Sequence, residues 1–260
     1  MKKFRYLIFL SVPLFTLWFC ISSSAVKEKE GSGNMKTDIR VSDIKNVAVL
    51  ELFTSQGCSS CPPADRLLES YLSKENVIVL SFHVDYWNHL GWKDPFSSKE
   101  YTQRQYDYAS ALHADVYTPQ LVINGQTQMI GSDSGKISNS IKKVFGEQPD
   151  ATLSIKTVKA ENGKVDISFD ASGNIGKSVL NVALVEKKTT TYVKAGENGG
   201  VTLTNYNVVR NFKTINKVEN GNNVSTIDIP SSTDLKNMSV VLYLQEKKNN
   251  KISAADQLGF

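Results

Sequence analysis

Two cysteines, Cys58 and Cys61 in the run Gly57-Cys58-Ser59-Ser60-Cys61, are the residues of this chain best suited by type and spacing to do chemistry. A C-x-x-C pair serves zinc sites and thiol–disulfide exchange alike, so its surroundings must separate the two. A structural zinc site needs four ligands, and the sequence contains no second C-x-x-C. A bridge between residues so close together closes a tiny loop and constrains the unfolded chain little. Stability is therefore a poor reason for the pair, and redox chemistry a better one. The pair follows an apolar strand and opens a helix, the context in which C-x-x-C reads as redox-active. A thiolate at a helix N-terminus is favoured by the helix dipole and by free N–H groups. Cys58, at the turn, is expected to be the exposed nucleophile. Cys61, one turn in, is expected to be shielded and able to attack a mixed disulfide. Ser59 and Ser60 offer hydroxyl and backbone donors to the sulfur.

The elements that must hold this pair can be read on either side of it. Asn46 to Thr54 is a short apolar run expected of a strand buried on both faces. Pro62 to Ser73 has Leu67, Leu68, Tyr71 and Leu72 at helical spacing, and Asn76 to Val84 reads as a second buried strand. Strand, helix and strand in about 40 residues make a right-handed βαβ unit with parallel strands. Asp85 to Phe96 is an aromatic-rich loop, and Ser97 with Glu100 forms a capping box opening a helix that runs to His113. Val116 to Asn124 leads into an Asn124-Gly125 hairpin turn and a return strand over Gln126 to Ile130. Asp133 to Phe145 is the last helix of this unit. Beyond Gln148-Pro149 the pattern changes to period-two alternation, as in Leu153, Ile155 and Thr157 and again in Val165, Ile167 and Phe169 around an Asn162-Gly163 turn. Further strands are expected near Val179–Val185, Val201–Asn205, Val208–Phe212, Val224–Ile229 and Val240–Gln245. About seven short strands without a long helix suggest a β-sandwich.

Other residues qualify for the site. His83, Asp85 and His89 fall at or beyond the C-terminal end of the second strand, the edge of an open α/β sheet that the cysteines also occupy. His83 suits acid–base work or tuning of the thiolate; the plainer alternative is a histidine satisfied by a loop carbonyl. Cys58, Cys61 and His83 together would also suit copper, so a metallochaperone stands as the alternative to exchange, and a non-catalytic binding protein as a third. Trp87, Trp92 and Phe96 serve equally as a substrate rim or as anchors that pack the loop. Asp65 and Glu69 share a helical face and read as solvated charges. His113 suits a helix C-terminus and receives no role. Arg210 and Glu197 read as a cross-strand pair.

The formal charge of +4 says little about partners. Lys2, Lys3 and Arg5 belong to a short positive region, followed by the uncharged, mostly apolar run Tyr6 to Ile21 and by Ser23-Ser24-Ala25, the layout of a secretory signal. Without those three positive charges the chain stands at +1, too balanced for a nucleic-acid or anionic-membrane binder. An uncleaved membrane anchor is the rival for this run. Lipid attachment at Cys20 is not favoured, because Trp18 and Phe19 stand where small residues would be needed. Residues 26–44 read as a flexible linker.

Several strings resemble known sequences. The order of elements and the C-x-x-C resemble the thioredoxin-like superfamily. Glu51 to Asp65 (E-L-F-T-S-Q-G-C-S-S-C-P-P-A-D), His83 to Phe96, Tyr117 to Gly125 and Gly196 to Arg210 are similar to a family of secreted bacterial proteins catalogued as a domain of unknown function. The resemblance implies that Thr118-Pro119 carries a cis-proline beside the cysteines and that the backbone before it pairs with substrate. Ser-Ser in place of Gly-Pro, and Pro62-Pro63 directly after, depart from thioredoxin itself. The expectation is thus a signal peptide (1–25), a linker (26–44), an α/β thioredoxin-like fold ordered βαβ-α-ββα (45–147) and an all-β sandwich-like domain (150–260). Such a protein would be an exported thiol–disulfide oxidoreductase, periplasmic or at the cell surface. It would act on protein thiols and disulfides with a redox partner, without a cofactor or nucleic acid, and meet the membrane only through an N-terminal anchor or lipid.

Overall fold

The structure, a computed structural model, describes residues 46–231 and 233–260. The expected signal peptide and linker, with Cys20, lie outside the described residues. Among the described residues no helix is long and apolar enough to cross a membrane. Strands β1 (Ala48–Thr54) and β2 (Val77–His83) are buried along their whole length and pair in parallel from Ala48 opposite Val77 to Thr54 opposite His83. Between them runs α1 (Pro62–Glu69), whose first-turn prolines lack only N–H groups that no helical bond would use. It stops short of Ser73; Ser70, Tyr71 and Leu72 continue as tighter turns that bond to Leu67, Leu68 and Glu69. Helix α2 (Lys99–Leu112) is capped by Ser98 rather than Ser97, and its Oγ accepts the Glu100 N–H at 3.2 Å. Strands β3 (Gln120–Ile123) and β4 (Thr127–Ile130) follow as an antiparallel hairpin. Asn124 and Gly125 at its tip both have positive φ, as this turn requires; a side chain at Gly125 would collide with the Asn250 carbonyl. Helix α3 (Ser134–Phe145) is capped by Asp133.

The rest of the chain overturns the expected fold class. Strands β7 (Ser178–Tyr192), β8 (Thr202–Ile215), β10 (Met238–Glu246) and β11 (Ile252–Gly259) form no sandwich of their own. They join the first four in one mixed eight-stranded sheet of order β11-β10-β7-β8-β2-β1-β3-β4. Strands β5 (Ala151–Glu161), β6 (Lys164–Gly173) and β9 (Gly221–Asp228) make a separate three-stranded antiparallel sheet. The molecule is mostly β, and not an α/β thioredoxin-like domain followed by an independent β domain.

Two physical reasons account for the difference. An uncovered β2 would leave a row of unpaired backbone groups at its edge. β8 meets that edge in parallel at Ser81 and Val208, Ser81 Oγ donates to the Tyr206 carbonyl at 2.8 Å, and Asn207 Nδ2 donates to the Val79 carbonyl at 3.0 Å. Second, β7 and β10 are apolar on both faces. Leu180, Val182, Leu184, Val240 and Leu242 pack with Ile167 and Phe169 of the three-stranded sheet. Ala183, Val185, Val241 and Tyr243 pack instead with Phe53, Phe82, Tyr101 and Tyr108 of the first half. A two-sheet sandwich would cover only one of those faces. Within the shared core, Arg104 Nε on α2 and the Tyr243 hydroxyl on β10 each donate to Glu51 Oε1 on β1 at 2.9 Å, and the Tyr108 hydroxyl donates to the other carboxylate oxygen.

Candidate active site

Cys58 sits in the turn between β1 and α1 and is joined by a disulfide to Cys61, the N-cap of the helix. The turn is tight: the Cys58 N–H donates to the Ser55 carbonyl and the Cys61 N–H to the Cys58 carbonyl, both at 3.2 Å. Gly57 lets the aromatic loop pack directly on it, since a Cβ there would lie 3.1 Å from that of Trp87. Cys61 is fully buried, as expected, but so is Cys58, at 1% exposure; Ser59 and Ser60 are the exposed members of the run. The reason is that loops from both halves of the chain close over the turn. The Thr118–Pro119 peptide is cis, and Thr118 O lies 3.9 Å from Cys58 Sγ while accepting the Ser60 hydroxyl at 3.4 Å. Trp87 Nε1 donates to Thr118 Oγ1 at 2.8 Å and Trp92 Nε1 to Gln56 Oε1 at 3.2 Å, so both rings anchor backbone segments of the site. From the β7–β8 loop, Asn198 Nδ2 donates to the carbonyls of Gln56 and Cys58, both at 2.9 Å.

A buried charged cluster adjoins the sulfur turn through its backbone, where Asp65 N–H donates to the Cys61 carbonyl and Gln56 N–H to Asp94. His83 Nδ1 is 2.7 Å from Asp94 Oδ2, and the same oxygen accepts the Gln56 N–H at 2.8 Å. Burial opposes both charges. For His83 the Asp94 carboxylate more than offsets it and raises the pKa; for Asp94 the imidazole and two backbone donors hold the carboxyl below its ordinary range. The third member is Asp65, on the turn of α1 that follows Cys61. Its carboxyl accepts the Thr54 hydroxyl at 3.3 Å, and burial pushes its pKa from 3.8 to about 6 against the opposing pull of His83. Asp65 Oδ1 and His83 Nε2 are buried without a hydrogen-bond partner.

Asp65 therefore leads to a prediction about stability. The folded protein keeps a proton that the unfolded chain releases between pH 3.8 and about 6, so stability falls as pH rises through that window and the deficit persists above it. His83 does not obscure this: its raised pKa means its contribution is retained until the pH passes its ordinary 6.5. Asp65→Asn is expected to flatten the profile between pH 4 and 6 and to stabilise the protein at pH 8 by about 2–3 kcal/mol. Denaturant unfolding across that range checks it, and an unchanged slope would contradict it.

Not every expected residue joins the site. Asp85 turns to α2, its N–H donating to Thr102 Oγ1 at 3.0 Å and its carboxylate accepting the same hydroxyl at 2.7 Å. His89 is exposed and bonds the Tyr86 carbonyl, His113 is an exposed helix cap, and Phe96 packs edge-on against the His83 ring. Asp65, read as a solvated charge, is buried because the first turn of α1 packs against Thr54 at the end of β1, whereas Glu69 at the end of the helix stays exposed. Arg210 pairs with Glu186, not with Glu197. For the copper alternative, among the described residues no group of three or more His, Cys, Asp or Glu is placed to hold a metal ion. Sequence reasoning missed Gln56, Asp94, Glu197 and Asn198. None of these four left a local signal; Asp65, named but read as solvated, did leave one, its four-residue step from Cys61 along one helix face.

Fold and site together define a class: a mostly β protein whose one long sheet presents a C-x-x-C disulfide between a strand and a helix, beside a cis-proline. A family model described as "Protein of unknown function (DUF1223)" matches residues 49–245, and the chain belongs to that family. It is similar to the crystal structure of an Agrobacterium tumefaciens protein, with 33% identity and a TM-score of 0.65 over 83% of this chain and 95% of that one. A domain of the outer membrane lipoprotein Omp28 from Porphyromonas gingivalis is 13% identical over 43% of this chain and 95% of its own, with a TM-score of 0.28, too low to carry an argument. No curated protein matches the chain.

Proposed function

We propose that the protein exchanges electrons with thiols and disulfides of other proteins, and that it does so outside the cytoplasm. The observation that carries the reading is the Cys58–Cys61 disulfide at the start of α1, with Thr118 O 3.9 Å from Cys58 Sγ. The resemblance to thioredoxin-like proteins supports it through this local arrangement alone, not through the whole fold. In the oxidising direction a substrate thiolate attacks Cys58 Sγ and the Cys61 sulfur leaves, taking a proton. A second substrate thiolate then attacks the substrate sulfur of the mixed disulfide and releases Cys58. Two electrons and two protons pass from the substrate dithiol to the pair, and the reducing direction is the reverse. Thr118 and Pro119 hold the substrate backbone beside the sulfurs. Asp65 bonds through its N–H to the Cys61 carbonyl at 3.1 Å, keeps one buried carboxylate oxygen unpartnered and has a pKa raised by burial to about 6, so it is suited to take and return the Cys61 proton. The N-terminal pattern read as a secretory signal supports export, where a disulfide is maintained.

The test uses the purified full chain, oxidised and reduced, with a protein disulfide and a protein dithiol as substrates. Alkylation and mass measurement follow Cys58 and Cys61 throughout. Exchange in at least one direction, stoichiometric with the state of the pair, is the expected result. A pair that opens with a small dithiol yet exchanges with neither protein substrate would overturn the reading.

A further inference from the structure

A carboxylate from the other end of the sequence closes on the sulfur turn. Glu197 Oε2 accepts the Ser59 N–H at 2.9 Å, and that amide is the one directly following Cys58. Ser59 holds the Glu197 carboxyl below its ordinary range. The Glu197 side chain is exposed, but the backbone that carries it is fixed by the fold. Asn198, beside it, is buried and donates to the carbonyls of Gln56 and Cys58. The loop is closed on itself by Gly199 N–H to Gly196 O at 3.0 Å and Gly200 N–H to Val193 O at 2.8 Å. Apart from the Ser60 hydroxyl, 3.3 Å from Cys58 Sγ, the sulfur turn is poor in donors for a thiolate. Pro62 and Pro63 have no N–H, and the Cys61 N–H already serves the Cys58 carbonyl.

We propose that Glu197 is a positioning residue that poises the Cys58–Cys61 couple toward the disulfide, by occupying the Ser59 N–H and placing a negative charge against the turn. The proposal rests on the redox reading above and deepens it. Reduction adds two electrons and two protons to the pair, and any thiolate that forms at Cys58 then stands beside this carboxylate and without that amide. Other charged groups among the described residues also adjoin the turn: Asp65 bonds through its N–H to the Cys61 carbonyl, and Asp94, paired with His83, accepts the Gln56 N–H. They stay in place when Glu197 is changed, so a Glu197 substitution isolates one charge.

The experiment equilibrates the full chain with glutathione redox buffers, traps it by alkylation, and reads the dithiol fraction. Two reduced glutathiones supply the electrons and protons and leave as their disulfide. The pH profile of Cys58 alkylation is the second readout. Glu197→Gln is expected to shift the equilibrium toward the dithiol by roughly 3- to 10-fold, the scale of one exposed charge-assisted hydrogen bond. It should also lower the midpoint of the alkylation profile. Glu197→Asp should restore wild-type behaviour in part, the effect should shrink in high salt, and Glu161→Gln, a distant exposed carboxylate, should change nothing. If Glu197→Gln matches wild type in both readouts, or alters only thermal stability, the proposal is overturned. A wild-type chain inert toward protein substrates would instead sink the redox reading, because glutathione equilibrium is measured independently of such substrates.

Discussion

Serine at position 61 is expected to convert a passing mixed disulfide into one that accumulates. With Cys61→Ser, the Cys58 sulfur still attacks a protein disulfide, but no neighbouring sulfur can resolve the product. The adduct should be visible on a non-reducing gel and should vanish with thiol. Cys58→Ser should give no adduct through Cys61, because the sulfur next to Thr118 O, where a substrate backbone would lie, is that of Cys58. Both variants should lose turnover by roughly a thousandfold or more, as expected when a nucleophile acting as part of a unit is removed. Adducts through Cys61 instead of Cys58 would reverse the assignment, and unchanged turnover in either variant would end it. Because Cys58 itself is only 1% exposed, attack needs the loops over the turn to part, so adduct formation should be slower than for an open thiol.

The second large effect belongs to the core. Removing Arg104 leaves the buried Glu51 carboxylate facing two tyrosine hydroxyls with no positive charge. Burial opposes the Arg104 charge, yet Glu51 and the tyrosines beside it raise its pKa, so the guanidinium stays charged. Breaking one side of such a pair costs about 3–5 kcal/mol. For a chain of this size that lowers the thermal midpoint of Arg104→Ala by roughly 6–20 °C. Arg104→Met combined with Glu51→Gln should recover much of the loss, because no charge is then left uncompensated. Since β1, α2 and β10 meet in this cluster, the wild-type chain should unfold in one transition, with both halves lost together. A loss under about 1 kcal/mol, or separate transitions for the two halves, would contradict the account.

How much of this was legible beforehand depends on how local the signal was. The parallel β1–β2 pair, the helix between them and the Asn124-Gly125 hairpin were legible, because continuous apolar runs, helical spacing and a positive-φ turn act within a few residues. β11 was not, because Ile252–Gly259 (I-S-A-A-D-Q-L-G) has weak alternation and is held by its neighbour, with Ser239 to Gln245 of β10 pairing along it. Two expected strands proved to be parts of β8, whose Asn207 sits mid-strand with positive φ. The sandwich expectation failed because period two shows which residues alternate but not what covers each face. Val182 and Ala183 are neighbours in sequence and belong to different cores.

By itself, the sequence determined that two cysteines open a helix after a buried strand, that a Thr118-Pro119 step follows one helix later, and that two-faced apolar strands need cover on both sides. Covalent spacing and local periodicity suffice for that. Only the tertiary structure decided that one sheet runs through both halves, that Cys58 is buried, and that Asp65, His83 and Asp94 gather beside the sulfur turn while Glu197 and Asn198 bond to it from the other half. Those side-chain contacts join residues up to 142 positions apart, and they are set by the burial of apolar faces and the pairing of strand edges, which no local pattern records.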